Sequence, residues 1–253
     1  MQGEETMETL ISRAAAMISQ AQHVVALTGA GISRPSGIPD FRSPDGLWSN
    51  DNPMEVASLY TFLRNPGRFY AWMRGLIEPI TSALPNTAHL ALAELEHAGY
   101  LRAIITQNID GLHQHAGSRE VFELHGHLRS ATCIQCERQV PSAPLLEEVR
   151  HNKIPRCTCG GTYKPDVVLF DEALPRGIFW LAQRALEYCD VLLVVGTSLE
   201  VYPVSDMPHT ALRNGARLII INLAETHLDV EADIVLHADV AQVLPAIVQQ
   251  VTA

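Results

Sequence analysis

Residues 23–31, HVVALTGAG, join a short apolar run to a glycine-bearing turn. Apolar runs that do not alternate with polar residues are typical of strands buried on both faces of a parallel sheet. Glycines directly after such a strand let the backbone approach a pyrophosphate, whose charge is met by N–H groups where the next helix begins. The segment predicts the first strand and phosphate-binding turn of a nucleotide-binding sheet, although a plain tight turn explains the glycines equally well.

Similar apolar runs recur along the chain, with helical patterns between several of them. Strands that alternate with helices indicate an open, doubly wound α/β sheet of the Rossmann-like type. The other predicted strands are residues 101–106, 191–196, 217–222 and 234–236. The predicted helices are residues 8–22, 86–98 with Gly99 as the C-terminal cap, 178–188, and a last helix with Asp239 as its N-cap.

Most of these runs end in a polar or glycine-bearing turn. In open α/β sheets the ligand binds at the carboxyl ends of the strands. We therefore expect four turns to converge on one crevice, namely Thr28-Gly29, Thr106-Gln107-Asn108, Gly196-Thr197-Ser198 and Asn222.

Two stretches interrupt the alternation. Residues 128–165 are rich in Cys, Pro, Arg and turn residues and predict a small separate module, whereas residues 39–78 are irregular at first and then helical. We expect the latter to form a helical insert, or cofactor-binding loop, that covers the crevice. The remaining residues, 1–38, 79–127 and 166–253, are predicted to form the Rossmann-like domain.

Composition limits the class of protein. The chain has 253 residues, of which 47% are hydrophobic and 18% charged, as expected of a globular protein. A net charge of −10 argues against a nucleic-acid-binding surface. No apolar run approaches the ~20 residues that span a bilayer, and the N-terminus MQGEETMETLISRA is acidic where a signal peptide is basic. We expect a cytoplasmic protein that binds neither nucleic acid nor membrane.

The glycine turn departs from the fingerprint of dehydrogenases. Arg34 occupies the third glycine position, and no strand ending in Asp or Glu follows about 20 residues later. Hydride transfer is therefore disfavoured. The next segment, GIPDFRS, offers Arg42 to neutralise phosphate and Phe41 to cover a flat ring. A loop anchored by Phe41 is the alternative interpretation of that segment.

Two further segments carry polar side chains near predicted strand ends. In TQNIDG, Asn108 and Asp110 can fix ribose hydroxyls or a carboxamide, although an Asx turn is the simpler interpretation. His125 lies in LHG, and histidine accepts a proton near pH 7 without further tuning. A lone histidine near a strand end is more often structural, and composition does not choose among several neighbouring histidines.

Four of the five cysteines form two close pairs. In a chain expected to be cytoplasmic, such pairs indicate a metal rather than disulfides. Four thiolates fit a tetrahedral structural zinc site and leave no open position for catalysis. The predicted ligands of the module are Cys133, Cys136, Cys157 and Cys159, whereas Cys189 is predicted to be a packed thiol.

Together these segments resemble the sirtuin family. The matching stretches follow the family's order over nearly the whole chain. They are GAGISRPSGIPDFRSPDGLW (29–48), TQNIDGLHQHAG (106–117), ELHG (123–126), the paired cysteines, KPDVVLFDEALP (164–175), VVGTSLEVYP (194–203) and INLAE (221–225). The ordered set is highly specific, although no single motif in it is decisive.

The resemblance implies a transferase-type enzyme that consumes NAD, a protein lysine deacetylase. Such enzymes release nicotinamide, deacylated lysine and O-acetyl-ADP-ribose. His125 matches the family's general base, and Asn108 is the other residue expected to act in catalysis. The residues that match NAD contacts are Gly29, Ala30, Gly31, Phe41, Arg42, Gln107, Asn108, Ile109, Asp110, His125, Gly196, Thr197, Ser198, Asn222, Leu223, Asp239 and Val240.

The resemblance also implies a site for acyl-lysine peptides. Val167, Val168, Leu169 and Phe170 match the strand that pairs with an extended substrate, and backbone pairing demands little of the substrate's sequence. The family usually has Gly where this chain has Asp171, so the local loop shape is in question.

The insert helix carries the expected determinant of acyl specificity. Relatives that prefer succinyl or malonyl lysine carry Tyr-x-x-Arg there, whereas this chain has Tyr70 followed by Met73, with Arg74 one residue later. A step of ~100° along a helix turns Arg74 away from that position. We expect Tyr70 to contact substrate and the pocket to favour acetyl and other uncharged acyl groups.

Other functions remain open from the residues. Desuccinylation or demalonylation, and mono-ADP-ribosyl transfer to protein, would use the same site. A non-catalytic module that senses NAD or reads acyl-lysine is a different class, disfavoured because His125 accompanies a complete nicotinamide pocket. The sequence does not indicate an oligomeric state.

Overall fold

A computed structural model describes residues 5–40, 43, 46–47 and 51–253. Its strands are β1 (Val24–Thr28), β2 (Leu101–Thr106), β3 (Val121–Glu123), β4 (Gly126–Cys133), β5 (Gln139–Pro141), β6 (Tyr163–Val167), β7 (Val191–Val195), β8 (Arg217–Ile221) and β9 (Ile234–Leu236). Its α-helices are α1 (Met7–Gln20), α2 (Pro53–Val56), α3 (Leu59–Arg64), α4 (Pro66–Ser82), α5 (Thr87–His97), α6 (Leu112–His115), α7 (Ala143–Arg150), α8 (Arg176–Tyr188), α9 (Met207–Arg213) and α10 (Val240–Thr252).

Six strands form a parallel sheet in the order β3-β2-β1-β7-β8-β9. From β1 the chain adds β2 and β3 on one side of that strand. It then returns to the other side of β1, where β7, β8 and β9 follow in order. The strand order therefore reverses between β1 and β7, the position where doubly wound folds bind dinucleotides. The predicted Rossmann-like fold is confirmed.

In the parallel sheet the predicted strands agree closely with the observed ones, and one strand of this sheet was missed. β2 and β9 have the predicted bounds, whereas β7 and β8 end one residue earlier. The missed strand, β3, has three residues, each of them half-buried at the sheet edge. Such a strand lacks the continuous apolar run that marks a central strand.

Helices cover both faces of the parallel sheet. α1, α5 and α10 pack on one face, and α8 and α9 pack on the other. Two predicted caps are confirmed. Asp239 accepts a hydrogen bond from the Ala241 N–H at the start of α10, and Gly99 follows α5 with a φ of 87°. The buried Cys189 thiol packs beside α8, as predicted.

A second, antiparallel sheet has the order β5-β4-β6. It shares a core with the helical insert, because Phe69 and Met73 of α4 pack in one cluster with Val149 of α7 and Val167 of β6. Phe62 of α3 meets Phe69 edge to face, with ring centroids 5.2 Å apart. The insert and the cysteine-rich module therefore support each other.

Several elements cross the predicted domain boundaries, which remain predictions. α4 continues to Ser82, β4 begins at Gly126, and β6 ends at Val167. Within the described residues, no helix is both long and apolar enough to cross a membrane.

Candidate active site

The glycine turn after β1 packs against the turn after β7, backbone to backbone. The Gly31 N–H donates to the Gly196 carbonyl oxygen at 2.8 Å. A Cβ on Gly31 would lie 2.8 Å from that oxygen, and a Cβ on Gly196 would lie 2.3 Å from the Ile32 nitrogen. Gly196 also has a φ of 60°, which favours glycine. Contact between the two turns alone therefore demands glycine at both positions.

A cavity of about 1250 Å³ opens at the carboxyl ends of the parallel strands. The four predicted turns converge on it. Its lining includes Gly29, Ala30, Gly31, Gln107, Asn108, Ile109, Asp110, His125, Val167, Val168, Leu169, Phe170, Gly196, Thr197, Ser198, Asn222, Leu223, Asp239 and Val240. These are the sequence-predicted NAD and substrate residues, with three exceptions. Phe41 and Arg42 lie outside the described residues, and Tyr70 does not line the cavity.

His125 lies between β3 and β4, where the chain passes from the large sheet to the small one. Its Nδ1 lies 3.0 Å from the Gln107 carbonyl oxygen. Because a carbonyl only accepts, Nδ1 is the donor, and Nε2 of the neutral ring carries the lone pair. Gly126 follows with a φ of 73°, and a Cβ there would lie 2.1 Å from the Asp166 carbonyl oxygen. Glycine at 126 thus lets β6 approach the loop that carries His125.

Asn108 belongs to a buried hydrogen-bond network at the floor of the cavity. Its amide nitrogen donates to the Gly29 carbonyl and to the Ser33 hydroxyl, each at 3.1 Å. Ser33 in turn donates to Asp110 at 2.8 Å. With both amide hydrogens engaged, the Asn108 side chain has its carbonyl oxygen left to accept a hydrogen bond. Burial raises the pKa of Asp110, and hydrogen bonds from the Leu112 N–H and the Ser33 hydroxyl oppose that shift.

Two histidines below this network were not assigned a role from the sequence. His113 contacts the Thr28 hydroxyl at 2.9 Å, and His89 lies 3.5 Å from the Ser33 hydroxyl. Burial lowers the pKa of His89 to about 4. Burial, with a smaller contribution from His89, lowers the pKa of His113 to about 3. Both rings are therefore neutral near pH 7. The sequence signal that could have identified His89 is the start of α5, where its ring accepts a hydrogen bond from the Asn86 N–H at 3.4 Å.

The α4 face toward the cavity is apolar. Phe69, Trp72, Met73, Leu76 and Ile77 all contribute to the lining. Met73 therefore lines the cavity, and its place beside the acyl group stays a prediction.

The neighbours of Met73 point elsewhere. Arg74 donates from Nε to the Val149 carbonyl at 2.9 Å, so it is turned toward α7 and away from the Met73 position, the latter as predicted. The Tyr70 hydroxyl donates to the Tyr163 carbonyl at 2.5 Å. Burial also raises the pKa of Tyr70. The placement of Tyr70 does not support its predicted contact with substrate, because docking of α4 onto β6 buries the side chain.

The predicted peptide-pairing segment is a strand only at Val167, the last residue of β6, and the residues after it are held on both sides by other loops. The Val168 N–H donates to the His125 carbonyl at 2.8 Å, and the Phe170 N–H donates to the Ala57 carbonyl at 2.9 Å. The Glu172 carboxylate accepts a hydrogen bond from the Leu169 N–H at 2.9 Å. Asp171 has a φ of 63°, the left-handed conformation that favours glycine. Asp171 thus keeps the turn that the family's usual glycine would make, since Asp tolerates this region better than most residues.

The four predicted zinc ligands form one cluster. Their sulfur atoms lie within 4.8 Å of one another, with Cys133 and Cys159 separated by 3.5 Å and Cys136 and Cys157 by 3.7 Å. A tetrahedron of sulfurs around zinc, with bonds of about 2.3 Å, has edges of about 3.8 Å. A hydrogen bond from the Cys159 N–H lowers the pKa of Cys157 to about 6, which favours the thiolate that binds metal. The donor set fits zinc.

Known proteins are similar to this chain in sequence and in architecture. The model of the Sir2 family matches residues 29–203. The NAD-dependent protein deacylase 2 of Archaeoglobus fulgidus is 44% identical over 247 residues, covering 97% of both chains. The NAD-dependent protein deacetylase of Sulfurisphaera tokodaii is 45% identical over 239 residues, covering 93% of both.

Solved structures agree. One Sir2 enzyme superposes with a TM-score of 0.92 at 43% identity, covering 97% of this chain and 98% of that chain. A Sir2 bound to a deacetylated p53 peptide and 3'-O-acetyl ADP ribose has a TM-score of 0.91 at 35% identity, covering 94% and 97%. The resemblance seen in the sequence is confirmed, and the chain belongs to the Sir2 family.

Proposed function

We propose that the protein is an NAD-dependent protein lysine deacetylase that releases nicotinamide, deacylated lysine and O-acetyl-ADP-ribose. The placement of His125 carries the proposal. Its Nδ1 is fixed by the Gln107 carbonyl, and the residue lines a cavity at the point where the strand order reverses. The relatives named above are NAD-dependent protein deacylases and deacetylases, which supports the same activity.

The residues at the strand ends fit NAD. The glycines after β1 and β7 bring backbone to the cavity floor, and the 3₁₀ helix Ala30–Ser36 begins there, so that a pyrophosphate would lie beside the start of this helix. Asn222 and Leu223 would hold the adenosine ribose, with Asp239 and Val240 near adenine. Asp110 would hold the carboxamide of nicotinamide. When bound, NAD supplies a ribose carbon that loses nicotinamide and receives the acyl oxygen of the substrate.

His125 would act as the general base. With its Nδ1 proton engaged by the Gln107 carbonyl, Nε2 is the nitrogen that accepts a proton from a ribose hydroxyl. The same carbonyl stabilises the imidazolium that results, since Nδ1 still donates to it. A fixed tautomer means that the ring does not have to reorganise before the proton is transferred.

Asn108 would position the reacting groups. Its amide hydrogens are held by Gly29 and Ser33, so its carbonyl oxygen can accept from a ribose hydroxyl or from an attacking water. The residue is 9% exposed. Because it is buried and doubly anchored, its carbonyl direction is set before substrates bind.

Zinc would be structural. The four cysteines fill a tetrahedral shell and leave no position for water. The cluster joins β4 to the turn before β6, and β6 leads into the segment that lines the cavity. A site of reduced thiols also favours a reducing compartment, in keeping with the expected cytoplasmic location.

The acyl group would be uncharged. Met73 and its apolar neighbours on α4 line this end of the cavity, and Arg74 is committed to the Val149 carbonyl. A succinyl carboxylate buried beside Met73 would therefore find no charged partner among the α4 residues that line the cavity.

One assay tests the function. A panel of peptides bearing acetyl, succinyl or long-chain acyl lysine would be incubated with and without NAD, and nicotinamide and free lysine would be measured together. We expect NAD-dependent release of equal amounts of nicotinamide and deacylated peptide, with acetyl turned over faster than succinyl. Label that passes from NAD to protein without deacylated peptide would instead show ADP-ribosyl transfer.

A further inference from the structure

A largely buried ion pair lies at the wall of the cavity, where Glu172 itself contributes to the lining. Lys164 of β6 and Glu172 have side chains only 14% and 26% exposed, and the Lys164 Nζ lies 3.0 Å from Glu172 Oε2. The same ammonium donates to the Val167 carbonyl at 2.7 Å and to the Pro165 carbonyl at 3.2 Å. The three donors of the ammonium thus have three acceptors. Neither the activity nor the NAD site described above uses this pair.

Glu172 closes a turn with the segment that lines the cavity. Its Oε2 accepts the Leu169 N–H at 2.9 Å, and its own N–H donates to the Leu169 carbonyl at 3.1 Å. Asp171, in the left-handed conformation, lies inside this turn. Lys164 and Glu172 therefore fix both ends of residues 165–172. The Lys164 ammonium binds the Pro165 carbonyl at the start of this stretch and the Glu172 carboxylate at its end.

The turn determines which backbone groups remain for a peptide. Val168 donates its N–H to His125, Phe170 donates its N–H to Ala57, and both polar groups of Leu169 are taken by Glu172. Within the described residues, the Val168 carbonyl and the Asp171 N–H make no internal hydrogen bond. Both residues line the cavity. These are the groups that an extended peptide can meet here, and the ion pair holds the backbone between them.

We propose that Lys164 and Glu172 are positioning residues for the acyl-lysine peptide, a role that rests on the proposed deacylase function. They act on peptide binding through the backbone of residues 167–171 and touch neither NAD nor the reacting atoms. Loss of the pair frees this edge, so the peptide must order it on binding and binds more weakly. The residues proposed to hold NAD lie at the strand ends and are not bonded to the pair, so the affinity for NAD should be kept.

The test is steady-state kinetics on the full-length protein with Lys164→Met, a substitution that keeps the length and removes the charge. We expect the KM for acetyl-lysine peptide to rise about tenfold, because the peptide must then order the freed backbone when it binds. The KM for NAD and the kcat at saturating peptide should change by less than about twofold. Glu172→Gln, which retains an acceptor for the Leu169 N–H, should raise the peptide KM less.

Coupling between the two residues gives a second readout. In the double variant Lys164→Met/Glu172→Gln, the peptide KM should match that of the worse single variant, because either change removes the same pair. Effects that multiply would overturn the proposal. Lys164→Arg retains the charge but not the ammonium's three-way geometry, and it should restore part of the peptide affinity. If Lys164→Met does not fold, the Glu172→Gln and Lys164→Arg variants carry the same comparison.

Arg150→Met is the matched control. Arg150 pairs with Glu78 and Glu147 on the surface of the same lobe and does not line the cavity. Its peptide KM should equal that of the unsubstituted protein. An unsubstituted protein that fails to deacylate would refute the proposed function itself. Given an active protein, a folded Lys164→Met variant with unchanged peptide KM, or with equal rises in both KM values, overturns this inference alone.

Discussion

The cysteine cluster and the strand-end cavity are assembled in opposite ways. The cluster takes all its predicted ligands from residues 133–159, a short stretch closed by two turns. The cavity takes its lining from residues between Gly29 and Val240, brought together by sheet topology and by contact between glycine turns. A site built from local spacing can be recognised before the fold is known, whereas a site built from distant turns acquires its geometry only with the fold.

The two regions also differ in what removal of one residue does. In the cluster each thiolate supports the whole module, so loss of one ligand is a loss of folding free energy. In the cavity His125 is expected to act in catalysis, but the fold around it does not depend on its side chain. The first two predictions separate these consequences.

Cys157→Ser should have the largest effect. Structural zinc supplies on the order of 10 kcal/mol of folding free energy to a small module, so loss of a ligand should release zinc and unfold residues around β4–β6. Deacylation should fall below detection because β6 leads into the cavity lining. The measurements are zinc content by mass spectrometry, thermal unfolding and turnover. Cys189→Ser is the control, since this buried thiol lies outside the cluster and should leave zinc content unchanged. A stable, active and metal-free Cys157→Ser protein would contradict structural zinc.

His125→Ala should abolish turnover without unfolding the protein. Removal of a general base costs about 10²–10⁴-fold in rate, whereas the side chain is only half-buried and contributes little packing. Affinity for NAD and for acetylated peptide, measured by calorimetry, should be largely kept. His115→Ala is the control, because His115 is exposed and does not line the cavity. A His125→Ala protein that retained turnover would refute the assigned base.

The same contrast explains what the sequence could predict. Continuous apolar runs identified β1, β2, β7, β8 and β9, and the strand-end rule placed Gly29, Asn108, Thr197 and Asn222 around one cavity. β3 was missed because three half-buried edge residues carry no periodic signal. The cysteine spacing predicted a cluster whose sulfurs the structure brings together.

Several side-chain and loop contacts could not be predicted, since they depend on tertiary packing. Tyr70 was expected at the substrate, but α4 docks so that its hydroxyl meets Tyr163. The glycines of the turn after β1 were interpreted as making room for a pyrophosphate. In the structure, the close contact between Gly31 and Gly196 already requires glycine at these two positions. His89 and His113 lie far apart in sequence, and only the fold brings their rings to 5.0 Å below the cavity.

Gly196→Ala tests that contact between the turns. The added Cβ would lie 2.3 Å from the Ile32 nitrogen in a backbone of positive φ. We expect the free energy of unfolding to fall by about 2–4 kcal/mol, and the KM for NAD to rise because the turns are forced apart. Gly215→Ala is the control, since it shares a positive φ but has no atom within 4 Å of the new Cβ. It should cost about 1 kcal/mol and leave the KM for NAD unchanged. Equal losses in the two variants would show that backbone strain, not contact between the turns, requires glycine.

Met73→Arg should change the relative turnover of two substrates, the smallest effect on catalysis among these variants. Met73 is 4% exposed and lines the apolar end of the cavity, so a guanidinium there would gain a partner only from an acyl carboxylate. We expect turnover of succinyl-lysine peptide to rise about tenfold and turnover of acetyl-lysine peptide to fall, since an unpaired buried charge is costly. In Arg74→Ala the acyl preference should stay as it was, because that side chain serves the Val149 carbonyl. A folded Met73→Arg protein without succinyl activity, together with loss of succinyl turnover in Arg74→Ala, would place the acid-binding role at Arg74 instead. Acyl specificity would then depend on how α4 packs and not on which residue occupies the motif position. The glycine turns are similar, because contact between them is what requires glycine.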